Sequence, residues 1–404
     1  TYSLFFNPGN ITSNYSKSMQ ERISAYAMGE ASLNLKNKHD LQFGMTYEQN
    51  IASGYGISAS SLWRLMPLLA NSHIDQLDKT TTGSYVNGGI HSYDQNGNFL
   101  DTVNYAIRVN EAAQTTFDKN LRAKLMEQGA RDVNGDLIGK TSFIDINSLD
   151  PSTFNINMFS ANDLWNNGNS FVSYYGYDYK GNRDRKKPSL AQFLYDKENR
   201  SIGSFAPIYS AAWLQDKFAF KDLILRVGVR VERYDANQFV LKDNYSLYPI
   251  KTVGEVKELN GQAVSHPGSV GSDYSVYVNN TANPTKVIGY RKENVWYDAN
   301  GIEVSSPDFL ANQTTSGRIQ PYLVDAKDQE VSKESFKDYD PQINVLPRVW
   351  FSFPINSEAQ FFANYDVMAQ RPTDGATFAP INSIYYLEAT QGGTIANSGL
   401  KPRV

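Results

Sequence analysis

Ile208-Tyr209-Ser210-Ala211-Ala212-Trp213-Leu214-Gln215-Asp216-Lys217-Phe218-Ala219-Phe220, then Lys221-Asp222, then Leu223-Ile224-Leu225-Arg226-Val227-Gly228-Val229-Arg230-Val231 is the stretch that decides the fold. Alternation with a period of two marks a strand with one apolar face. Here it occurs twice around a two-residue turn. Opposed residues of an antiparallel hairpin share one side of the sheet. A turn at Lys221-Asp222 therefore sets Phe220 against Leu223, Phe218 against Leu225, Leu214 against Val229 and Ala212 against Val231. The apolar faces coincide, and Asp216 opposite Val227 is the one exception.

Two further pairs repeat the pattern. Ile23 to Leu35 and Leu41 to Tyr47 flank Lys36-Asn37-Lys38-His39-Asp40, and a five-residue turn there sets Leu33 against Phe43. Val345 to Phe353 and Ala359 to Val367 flank Pro354 to Glu358, which sets Phe351 against Phe361. Apart from the shorter Leu41 to Tyr47, these strands run about 9 to 13 residues, near the roughly 9–11 that cross a tilted bilayer span. Strands of soluble sandwiches centre on about 5–6. The turns inside hairpins are short, while the connections between them, 49–206 and 235–342, are very long. Loops beyond about 12–15 residues are uncommon in compact domains. Short turns at one end and long loops at the other are the outer-membrane arrangement. The expected fold class is therefore all-β, a transmembrane antiparallel β-barrel with long extracellular loops.

Composition agrees. The 404 residues are 41% hydrophobic, which suits a soluble globular protein and equally a barrel, where only alternate strand residues face lipid. No run approaches the roughly 18 apolar residues of a membrane helix. Aromatics reach 13%, with 26 Tyr and 21 Phe, as expected of interfacial girdles. Cysteine is absent and the net charge is −4, with no basic face for nucleic acid. The short basic run Arg183, Arg185, Lys186, Lys187 reads as a solvated loop. The opening Thr1-Tyr2-Ser3-Leu4 is no signal peptide, so a removed signal or an internal section is expected.

The first long connection holds two helix candidates, within Ser58 to Leu77 and within Val103 to Gln128, whose apolar residues would form a small core. Four turns share one chemistry: Tyr93 to Asn98, Asp132 to Asp136, Tyr177 to Asn182 and Tyr297 to Gly301. Asn-Gly favours hairpin turns, so surface hairpins are expected. Asp94, Asn96 and Asn98 also have calcium-loop spacing, but the full twelve-residue pattern with its terminal Glu is missing. No cofactor is expected beyond that calcium alternative. Catalysis finds no support: His39, His73, His91 and His266 form no close ligand pair, and no phosphate loop or nucleophile elbow occurs.

Ser210 to Phe218, Lys221-Asp222-Leu223, Val227-Gly228-Val229-Arg230 and Tyr234-Asp235-Ala236-Asn237 resemble the barrel of TonB-dependent receptors, especially the large SusC-like ones of the Bacteroidota. Asn397-Ser398-Gly399-Leu400-Lys401-Pro402 is similar to that family's Asn-Pro-x-Leu-Lys-Pro-Glu segment, with Ser398 in place of proline and Arg403 in place of glutamate. The resemblance covers about 40 residues and implies a barrel of about 22 strands around a plug. It also implies import of a bulky nutrient (an oligosaccharide, peptide or metal chelate) energised by the TonB complex through a plug outside this chain. A lid lipoprotein of the SusD type, the lipid bilayer and a Gram-negative outer membrane are the implied partners and location. Six strands fall short of closure. The expected division is hairpins at 1–48, 207–234 and 343–371, long loops at 49–206 and 235–342, and the start of further strands at 372–404.

On that reading Arg226, Arg230, Glu232, Trp350, Asn364 and Asp366 face the lumen, or brace its wall. Trp63, Tyr174 and Tyr175 are the loop aromatics for stacking on a ligand, or for loop packing. Two other classes stay open: a receptor-like barrel serving as scaffold in an outer-membrane assembly or secretion complex, and a soluble surface sugar-binding protein or enzyme.

Overall fold

The computed structural model describes residues 13–35, 37–74, 76–78, 90–93, 95–103, 106–132, 135–165, 171–327, 331–372 and 399–404. The fold is all-β with antiparallel sheets. The chain forms two compact units, Thr1–Ile23 with Gln49–Ala206, and Ser24–Glu48 with Pro207–Val404.

The principal sheet has six long strands in sequence order: β1 (Asn14–Asn34), β2 (Lys38–Ser58), β3 (Ile208–Phe220), β4 (Leu223–Asp235), β5 (Gln342–Pro354) and β6 (Gln360–Asp366). Val172–Tyr175 adds a short strand on β2. The β3–β4 register is the one the two-residue turn dictates, from Phe220 opposite Leu223 to Ala212 opposite Val231. Lys221 takes φ +54°, the left-handed conformation that reverses the chain in so tight a turn.

β4 then pairs with β5, Val229 opposite Pro347 and Leu225 opposite Phe351. β5 pairs with β6, Phe351 opposite Ala363 and Phe353 opposite Phe361. The third hairpin thus departs from the expected register by two residues, since its five-residue turn has slid to Ile355–Ala359. Asn356 holds it there: its side-chain oxygen accepts from the backbone N–H of Glu358 and Ala359 at 2.8 and 2.7 Å. The first hairpin also differs. β2 starts at Lys38, so the turn is shorter than Lys36 to Asp40. Ser32 Oγ donates to Asp40 Oδ1 at 2.7 Å. Phe43 lies over Gly29, where a Cβ would come within 2.8 Å of its ring, and not opposite Leu33. In both hairpins the same faces still coincide.

β1 and β2 are each 21 residues, well beyond the apolar alternation that the sequence displays. At about 3.3 Å per residue each extends roughly 70 Å. Their added portions are polar or rich in Gly, Ala and Ser, so periodicity does not reveal them. Main-chain pairing holds them, including that of Gly54–Ile57 with Val172–Tyr175.

Between β2 and β3 lies a small core around Phe117, Leu121, Ile146, Leu164 and Val172. The expected helices are α1 (Ala59–Ala70), which retains Pro67, and α2 (Thr116–Glu127), capped by Thr115 Oγ1 accepting from Asp118 N. Ala112 and Ala113 precede α2 in a short 3-10 turn. Asp118, Arg122, His73 and Asn71 are buried together. Arg122 Nε donates to both Asp118 oxygens at 3.0 and 2.9 Å, and its Nη1 to the Gly139 and Ser142 carbonyls at 2.8 Å.

The connection from β4 to β5 also folds. Ser275–Val278, Val287–Lys292, Val295–Asp298 and Glu303–Val304 form a four-stranded sheet, and Phe239–Leu241 pairs with Phe336–Asp338. Tyr277, Ile288, Trp296 and Leu310 are buried in its core. Arg291 Nε donates to Tyr277 Oη at 2.8 Å, and Arg291 also pairs with Asp243. Burial pushes the Tyr277 phenol up to about 12.

Candidate functional site

β3 to β6 sort their residues onto two faces. One carries the rows Leu214–Val229–Pro347 and Phe218–Leu225–Phe351–Ala363. Its side chains remain open: Leu214 is 51% exposed, Val229 39%, Val345 62% and Tyr365 64%. The other face carries Trp213–Arg230–Leu346 and Arg226–Trp350–Asn364. All six residues named as lumen candidates lie on this second face: Glu232 is opposite Asn344, and Asp366 opposite Arg348.

Period two puts Arg230 and Glu232 on that face one step apart. Arg230 Nε donates to Glu232 Oε1 at 2.6 Å, and Tyr209 Oη donates to the same oxygen at 2.6 Å. Arg230 Nη2 donates to Tyr209 Oη at 2.8 Å. Arg371 stacks on the Tyr209 ring at 4.1 Å and pairs with Glu48 at 3.1 Å. Two carboxylates and two guanidiniums are thus joined through one phenol. A buried carboxylate is tolerated only when so compensated. Beside them Tyr234 meets Tyr339 edge to face at 5.9 Å, and Tyr339 Oη donates to the Leu400 carbonyl at 2.8 Å. Burial and nearby acidic groups push the Tyr339 phenol up to about 12. Closer to the turns, Arg226 lies over Trp350 at 5.5 Å, and Gln215 donates to Gln42 at 3.2 Å.

Tyr209, Tyr234, Glu48 and Arg371 were not among the expected site residues. Parity alone puts Tyr209 and Tyr234 on this face, and that signal was present. Arg371 follows β6, so only the tertiary fold brings it onto Tyr209. Guanidiniums, carboxylates and aromatic rings on one face bind polar solutes by hydrogen bonding and stacking.

The loop aromatics divide. Tyr174, a candidate for ligand stacking or for loop packing, is buried at 6% exposure and donates to the Arg200 carbonyl at 2.9 Å, so it packs the core. Trp63 is half-buried against Phe154, its indole donating to Asn147 at 3.2 Å. Tyr175 is more open and covers Gly54. Arg200 stacks on Trp165 at 3.8 Å, and burial lowers its guanidinium to about 10.

Asp94 lies outside the described residues. The turn carboxylates of Asp178 and Asp298 accept backbone N–H groups, from Lys180 and Asn182 and from Asn300 and Ile302. Among the described residues no three His, Asp or Glu converge as for a metal. Comparison with protein-family models, curated proteins and solved structures finds no match.

Proposed function

We propose that this chain is a section of the wall and loops of an outer-membrane receptor of the TonB-dependent type, which imports a bulky nutrient. The observation that carries the reading is the sheet itself. Its long strands follow sequence order, with one apolar face exposed and the opposite face lined by Arg226, Arg230, Glu232, Trp350, Asn364 and Asp366. In water an apolar face of this extent is a liability. Against lipid it is what a barrel wall requires. The polar face then lines the lumen, and the bracing network of Tyr209, Arg230 and Glu232 keeps its charges compensated. The turns inside the hairpins are short and the connections between hairpins are long and folded, the alternation expected of an outer-membrane barrel.

On this reading the full-length protein folds into lipid vesicles and migrates as a compact, heat-modifiable species. Its cargo enters cells only while the inner membrane is energised. A full-length protein folded and monodisperse without detergent overturns the barrel. Uptake unaffected by an uncoupler overturns energised import.

A docking subunit is the second reading, favoured by the folded cores in both long connections, which offer preformed surfaces. Loss of a surface complex on deletion, with uptake unchanged, favours it.

A further inference from the structure

The basic run Arg183, Arg185, Lys186, Lys187 is not simply a solvated loop. Tyr177 bridges to Arg183, with Gly181 at φ +85° making the turn between them. Arg183 Nη2 donates to Glu21 Oε2 at 2.9 Å, and Arg185 lies 3.7 Å from the other oxygen. Lys17 lies over the rings of Tyr55 and Tyr177 at 5.5 and 5.0 Å and donates to the Gly181 carbonyl. Arg183 lies over Tyr177 at 5.4 Å. Arg183 and Arg185 are therefore tied to Glu21 on β1, and Arg183 and Lys17 share the Tyr177 ring.

Lys17 and Glu21 share one side of β1 with Tyr15, Met19 and Ile23, by the period of two. Those three remain exposed, at 59%, 40% and 52%. Arg185 is 77% exposed, and Lys186 and Lys187 are exposed too. The cluster holds six basic side chains (Lys17, Lys180, Arg183, Arg185, Lys186, Lys187) and three acidic ones (Glu21, Asp178, Asp184), in a chain of net charge −4. A local positive excess beside exposed apolar side chains matches a lipid whose acyl chains meet the strand and whose head group carries phosphate.

We propose that Arg185, Lys186 and Lys187, positioned through Arg183 and Glu21, bind a phosphorylated lipid head group at the membrane surface. The inference rests on the membrane reading above. A basic residue near an anionic surface adds about fivefold in affinity, so the three together supply roughly a hundredfold. Salt screens the attraction over about 10 Å at 0.1 M, so binding weakens as salt rises.

The test is native mass spectrometry of the detergent-solubilised full-length protein with diphosphorylated lipid A or its dephosphorylated form. The R185A/K186A/K187A variant is compared with a K257A/K327A/K333A control, each first checked for heat-modifiable folding in vesicles. The expected result is preferential retention of the phosphorylated lipid, lost at least tenfold in the first variant alone and resistant to millimolar inorganic phosphate. Equal retention by both variants, no preference for the phosphorylated lipid, or displacement by inorganic phosphate overturns the proposal while leaving the barrel standing. A wild-type protein that folds without membrane or detergent overturns both.

Discussion

Val229→Arg tests the lipid-facing assignment most directly. Val229 lies between Leu214 and Pro347 on the exposed apolar face. It is six residues from Leu223, about 20 Å along the strand at roughly 3.4 Å per residue. With a tilt near 40° that is about 15 Å of depth, close to the middle of an apolar band about 25 Å tall. A charge there costs roughly 2–4 kcal/mol, which is about thirtyfold to nearly a thousandfold in the folding equilibrium. In water the same substitution at an exposed position costs no more than about 0.5 kcal/mol. Asn364→Arg is the comparison, on the exposed polar face. Gly228 serves less well: a Cβ there would lie 3.1 Å from the Leu214 carbonyl, so a side chain requires its neighbours to give by a few tenths of an ångström. Urea titration of folding into vesicles, followed by tryptophan fluorescence and heat modifiability, measures the difference. Equal midpoints for the two variants would refute the assignment.

Asp118→Ala leaves Arg122 buried without its carboxylate and should cost about 3–5 kcal/mol; limited proteolysis within 49–206 at matched temperatures reads this as faster cleavage, and unchanged rates would show that the pair contributes little. Tyr277 and Tyr339 have folded-state values of about 12, above the usual value near 10. Their contribution is complete below pH about 10 and lost as pH rises through about 12; tyrosinate absorbance should rise together with loss of tertiary circular dichroism, and titration near 10 with structure intact would contradict this. Lys221→Gly should relieve the left-handed strain at φ +54° and stabilise the β3–β4 hairpin by up to about 1 kcal/mol; a lower urea midpoint would count against it. Tyr174→Phe should cost about 1 kcal/mol of stability through its lost hydrogen bond to the Arg200 carbonyl while leaving ligand binding unchanged; a binding defect without destabilisation would restore Tyr174 as a ligand contact.

The β3–β4 hairpin was legible residue by residue because a two-residue turn leaves no freedom in register. The other two hairpins were legible only in parity. Their turns are set by local hydrogen bonds, Asn356 to Glu358 and Ala359 in one and Ser32 to Asp40 in the other, which hydrophobic spacing does not encode. The outer stretches of β1 and β2 escaped notice because neither face there is consistently apolar. Arg226, Arg230, Glu232, Trp350, Asn364 and Asp366 could be assigned one face from alternation, since parity survives an even shift of register. Tyr174 could not be assigned from sequence, because its neighbour Tyr175 has the same chemistry and only burial separates them.

By itself, the sequence determined an antiparallel all-β chain with two sorted faces, because side-chain parity along a strand is a local property of the backbone. It also marked Asp216 as the one charge on the apolar face within Ile208 to Phe220 and Leu223 to Val231. Only the tertiary structure supplied its partner: His39 on the neighbouring β2 meets Asp216 Oδ2 at 2.7 Å and stacks on Phe218 at 5.2 Å. The residues of that contact lie far apart in the chain, and strand order brings them together. The same holds for Arg371 on Tyr209 and Arg183 on Glu21: long-range pairing chooses among chemically equivalent charges, and local sequence cannot.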